Sequence, residues 1–67
     1  MNKETMVKTM VDNRYPDAWE YLPSNLRRKR SEQHNHDWLI SHLCYHVLKE
    51  KVCQMYQDYL DWIEENK

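Results

Sequence analysis

The sequence predicts an all-α domain, and three observations carry that prediction. Glycine is absent from the 67 residues, and the only prolines are Pro16 and Pro23. A β-rich chain of this size needs tight turns, which draw mainly on glycine at positive φ. Apolar residues recur at helical spacing near the N-terminus and again from Asp37 to Asn66. Apolar residues make up 40% and charged residues 31%, a balance that folds rather than staying disordered. The chain has the length of one domain, 1–67, near the lower limit for a self-supporting core.

The first element is a helix over about 3–12. Met6, Val7, Met10 and Val11 share one face, Asn2 is placed to cap the start, and Glu4 suits the first-turn dipole. Asp12-Asn13 followed by Pro16 ends it. In YPDAWEYLP, Pro16 suits a first helical position, so a short helical corner is expected with Trp19 as its hydrophobic plug. Ser24 is the expected cap of the basic stretch SNLRRKRSEQ. Weak helix formers at Ser31, His34, Asn35, His36 and Asp37 place a break near 33–36.

From about 37 to 66 one long helix is expected, with the two short N-terminal helices packed on it. Trp38, Ser41, Tyr45, Leu48, Val52, Met55, Tyr59 and Trp62 alternate at spacings of three and four, a heptad stripe. Leu39 and Leu43 fall on the far side, so the first turns read as buried all round. Such a helix is about 45 Å long, against a diameter of roughly 30 Å for a compact domain of this length. Either the helix breaks, or a second copy or another protein covers the remainder of the stripe. Trp19, Trp38 and Tyr45 are assigned to the core, and Tyr56, Tyr59 and Trp62 to an interface, where aromatic residues are enriched.

The chemistry-bearing motifs are sparse. Absent glycine excludes Walker-type phosphate loops and dinucleotide fingerprints. HNHDWLISHLCYH, residues 34–46, gathers four histidines and Cys44. Zinc needs a tetrahedron of nitrogen or sulfur ligands. His42 and His46 share a helix face, but Cys44 between them points away, and Cys53 is about 10 Å further along the axis. No metal and no cofactor are expected. The letters HNH lack the hairpin that nucleases of that motif require. Cys44 is flanked by His42 and His46 in sequence, yet a helix turns them in different directions, so no nucleophile–base pair forms. Cys44 and Cys53 lie about 13 Å apart on one helix, too far for a disulfide. No enzymatic activity and no small-molecule substrate are expected.

Net charge is −1, but it is distributed unevenly. Arg27, Arg28, Lys29 and Arg30 against Glu32 give a local +3. Asp58, Asp61, Glu64 and Glu65 against Lys67 give a local −3. The basic patch is the candidate contact for nucleic acid or for an acidic partner. No segment has transmembrane length or a signal peptide's apolar core, so a cytoplasmic location is the expectation.

The functional expectation is a non-enzymatic protein-binding regulator or inhibitor that modulates a larger protein or assembly. Small proteins encoded by phages and mobile elements supply the analogy. Its contact residues are Tyr56, Tyr59, Leu60, Trp62 and Ile63, engaging a protein partner or a second copy in a homodimer. The alternative is a nucleic-acid-binding regulator that presents Arg27, Arg28 and Arg30 to phosphates.

Overall fold

The computed structural model describes every residue, Met1–Lys67, and is all helical: α1 (Lys3–Asp12), α2 (Pro16–Trp19), α3 (Ser24–Lys29), α4 (Glu32–His46) and α5 (Lys49–Glu65). Several short helices thus pack against two longer C-terminal ones. None is long and apolar enough to cross a membrane.

Helix α1 has the expected bounds. The Asn2 side chain accepts a hydrogen bond from Thr5 N at 2.8 Å, satisfying one orphan donor of the first turn. Its other end needs a left-handed residue, and without glycine Arg14 fills that role at φ 60°. Arg14 N donates to Val11 O at 3.2 Å and Tyr15 N to Met10 O at 3.0 Å, the paired bonds of a Schellman stop. Trp19 then folds back over this end. Its indole Nε1 donates to Val11 O at 3.1 Å, and the Arg14 guanidinium lies 4.6 Å from its ring centroid. The expected plug is a partly exposed lid that satisfies a helix-end carbonyl.

The break expected near 33–36 lies earlier. Arg30 is extended (φ −121°, ψ 157°), and the Ser31 side chain caps α4 by accepting from His34 N at 3.2 Å. Residues 34–37 are therefore helical, not loop. Two contacts hold them in the helix. Gln33 Nε2 donates to Asp37 Oδ1 at 3.0 Å, and His36 Nε2 donates to Asp12 Oδ1 across to α1.

The expected single helix over 37–66 is two helices. Val47 (φ −114°, ψ 132°) and Leu48 (φ −63°, ψ 146°) are extended, and α5 starts afresh with Leu48 at its cap. No proline or glycine marks this point. Tertiary packing supplies the reason. A straight rod would leave part of its apolar surface uncovered, whereas the bend closes α4 and α5 onto α1 and buries Val47. Lys3 Nζ stabilises the severed end by donating to Cys44 O at 2.6 Å, a cation where the α4 dipole is negative.

Helix α1 is the central element: both α4 and α5 pack on it, while they approach each other little. Its Met6, Val7, Met10 and Val11 meet Leu39, Leu43 and Val47 from α4 and Val52, Met55 and Tyr59 from α5. The Cα envelope measures 32 × 27 × 15 Å, so the molecule is flattened into a layer. In so thin a layer only 14 residues are buried, and every helix keeps a flank near solvent.

This packing splits the heptad stripe. In its second half Val52 and Met55 are buried, and so is Tyr59, which was expected at an interface. Its first half faces out. Helix α4 instead buries Asn35, Leu39 and Leu43, the far-side positions, with Val47 continuing their four-residue spacing. Tyr45, expected in the core, is 83% exposed, and Leu48 is 77% exposed.

Candidate functional site

The residues expected at an interface fall into two groups. Tyr59 is 3% exposed and belongs to the core. Its ring meets Tyr15 edge-on at 5.6 Å and Tyr56 at 5.5 Å. Burial pushes its hydroxyl pKa up, reinforced by the neighbouring Tyr56 and opposed by a hydrogen bond with Asn13. A partner therefore cannot use Tyr59 without opening the domain. Tyr56, Trp62 and Ile63 are half-buried at the edges of the same face, and Leu60 is 39% exposed beyond them. Trp62 is held by Tyr15, with ring centroids 5.4 Å apart. These four remain within reach of a partner.

The larger aromatic surface is on α4 and was not among the expected contact residues. Trp38 stacks on His42 at 4.7 Å with planes 8° apart, and His42 lies 5.1 Å from His46. Tyr21, from the segment after α2, lies 6.0 Å from His42. Tyr45 stands exposed beside this ladder, and Leu48 lies beyond it at the α4–α5 bend. The signal was present in the sequence as the first half of the heptad stripe. What periodicity could not reveal was that α4 carries a second apolar stripe, and that the second one forms the core.

The cysteine and histidine cluster forms no metal centre. No group of three or more His, Cys, Asp or Glu side chains is positioned to hold a metal ion. His42 is sandwiched among rings, while Cys44 faces the other flank near Lys3 and Glu4. Burial pushes the Cys44 thiol pKa up, and Glu4 adds to the shift while Lys3 opposes it. That is the opposite of what an activated thiol requires. Cys44 and Cys53 are both free.

Helix α3 spreads its cations rather than gathering them. Arg27 stays exposed but reaches back to α2, its Nη2 donating to Trp19 O at 3.0 Å. Arg27 and Arg30 line a groove against Trp19, while Arg28 and Lys29 do not. Arg27, Arg28 and Lys29 on six helical residues must diverge, because successive side chains are about 100° apart, and Arg30 follows on an extended residue.

Compared with known proteins, the chain matches no family model, no curated protein and no solved structure.

Proposed function

We propose that this chain is a non-catalytic protein-binding module that regulates a larger protein or assembly through the outer face of α4. One observation carries the reading. Helix α4 has already buried one apolar stripe, Leu39 and Leu43, yet it presents Tyr45 to solvent beside half-buried Trp38, and exposed Leu48 follows at the bend. A helix that only needs to cover a core has one apolar face and one polar face. Large exposed aromatic and aliphatic side chains at helical spacing are the composition of an interface centre. Tyr56, Leu60, Trp62 and Ile63 of α5 form a second, less exposed candidate surface.

The length argument for a partner no longer applies, since the bend at Val47–Leu48 removes the uncovered end of the rod. The exposed stripe replaces it with a surface that is named and can be tested. A photo-crosslinking amino acid in place of Tyr45 is expected to trap one defined partner in the native host. The same group in place of exposed Gln57, on the polar side of α5, is not. Equal labelling at both positions, or none at position 45, would refute the reading. Light scattering of the purified chain separates a second copy from a different protein.

A further inference from the structure

We propose that the outer face of α4 pairs with the same face of a second copy, antiparallel, about a two-fold axis that passes between Trp38 and Ser41. The inference rests on the reading of α4 as a contact surface and names its occupant. A larger partner then competes with the second copy for this face.

The ridge of α4 that points away from the core is His34, Trp38, Ser41 and Tyr45, of which only Trp38 is half-buried. Asn35, Leu39 and Leu43 are buried on the opposite side. The ridge spacings of four, three and four read the same in both directions. An antiparallel second copy therefore meets every ridge residue with a ridge residue. Trp38 faces Ser41 of the second copy, Tyr45 faces its His34, and both contacts recur with the roles exchanged. A two-fold interface requires this self-complementarity. A parallel copy would set Trp38 on Trp38 and Tyr45 on Tyr45, crowding the rings and leaving Ser41 against Ser41.

Size and charge both select the antiparallel arrangement. Ser41 is the one small side chain of the ridge, and a hollow lies on either side of it. One, of about 190 Å³, lies among Trp38, His42 and His46; the other, of about 350 Å³, lies toward Lys3, Glu4, Ile40 and Cys44. Ser41 and Tyr45 border both hollows. The gap over Ser41 receives the Trp38 ring of the second copy as a knob in a hole. Asp37 precedes Cys44 by seven residues, so both lie on one flank of α4, where Lys3 Nζ is bonded to Cys44 O. Like flanks meet in an antiparallel two-fold pair, which brings Asp37 of each copy beside Lys3 of the other. Asp37 is 67% exposed with only His36, at 3.5 Å, as an ion-pair partner, and Lys3 takes part in no ion pair. The negative C-terminus of each α4 also lies along the positive N-terminus of the other.

Helix α4 has 15 residues, so each face is about 22 Å long and about 10 Å wide, and two faces bury on the order of 1,000 Å² in all. That is the lower end for a specific interface and sets a concentration-dependent dimer of micromolar affinity.

The test is sedimentation equilibrium of the full chain from about 1 μM to about 1 mM, where a closed monomer–dimer equilibrium is expected. Ser41→Leu adds apolar area at an exposed position, so a merely adhesive surface would associate more tightly. Filling the hole opposite Trp38 is expected instead to weaken the dimer about tenfold. Asp37→Lys alone and Lys3→Glu alone should each weaken it about tenfold. An equimolar mixture of these two variants should recover the parental mass, because the mixed dimer restores both cross-copy pairs. Ser41→Leu and Asp37→Lys alter exposed positions and keep the fold, so these two decide the matter if Lys3→Glu does not fold. A strict monomer at the highest concentration, open-ended growth in mass, tighter association of Ser41→Leu or a mixture of folded variants no heavier than its components would overturn the proposal. Crosslinking at position 45 separates it from the reading it rests on. Capture of a different protein by a chain that stays monomeric ends the pairing and leaves the protein-binding reading intact. A dimer whose position 45 captures only a second copy upholds the pairing and removes the larger partner.

Discussion

The orientation of α4 has a consequence that alanine substitution can measure. Leu39 and Leu43 are fully buried against α1, so truncating either to alanine removes three buried carbons and leaves a cavity in a thin layer. Such changes cost about 2–5 kcal/mol. A chain of this length has a total stability of roughly 3–10 kcal/mol at 0.05–0.15 kcal/mol per residue, so either variant removes about a fifth of it or more. Tyr45→Ala and Leu48→Ala touch side chains in solvent and should fall within about 0.5 kcal/mol of the parent. Urea denaturation followed by far-ultraviolet circular dichroism reads both. With a slope near 1 kcal/mol/M, Leu39→Ala or Leu43→Ala shifts the midpoint down by about 2 M or more, while the outer pair scarcely moves it. The comparison belongs at a concentration where light scattering shows a monomer, so that self-association does not bury Tyr45. Were α4 and α5 one straight helix packed through the heptad stripe, the order would reverse. Large losses at Tyr45 and Leu48 with small ones at Leu39 and Leu43 would refute the bend and the assigned face together.

Two further outcomes follow from particular contacts. Arg14 holds the left-handed position that ends α1, so Arg14→Gly should be more stable than Arg14→Ala by about 1 kcal/mol, the reverse of their order inside a helix. Both variants lose the Trp19 and Glu32 contacts, so their difference isolates the backbone; equal denaturation midpoints would contradict the Schellman stop. The Tyr15 hydroxyl is pushed from 10 up to about 12 by burial, by its hydrogen bond to Asp17 at 3.0 Å and by that carboxylate's charge. The folded chain therefore keeps this proton at a pH where the unfolded chain has lost it. The resulting stability is complete below pH 10 and declines as pH rises toward 12. Two units correspond to at most ~2.7 kcal/mol, reduced to about 1–2 kcal/mol because Asp17 is solvent-screened. Alkaline urea titrations should show a shallower decline for Tyr15→Phe than for the parent, and identical slopes would count against the assignment.

Much of this architecture is determined by local chemistry. Absent glycine makes a helical chain the only economical one, and Asn2, the Met6–Val11 face and Pro16 set α1 because each acts within one turn. The same holds for the helical spacing of Val52, Met55 and Tyr59 on α5. Helix α4 is different. It carries two apolar stripes, Trp38–Tyr45–Leu48 and Leu39–Leu43–Val47, and periodicity gives their spacing but not which one turns inward. That choice is made only when α1 lies between α4 and α5, since the bend at Val47–Leu48 rotates α4 relative to the helix that continues the heptad. No breaker residue encodes the bend; the apolar area closed by folding back onto α1 outweighs the few helical hydrogen bonds it interrupts. The candidate sites follow the same division. The basic run and the aromatic stripe are present in the sequence, whereas the exposure of Tyr45 and the burial of Tyr59 exist only in the folded chain. They depend on contacts between residues far apart in sequence, which no local pattern records.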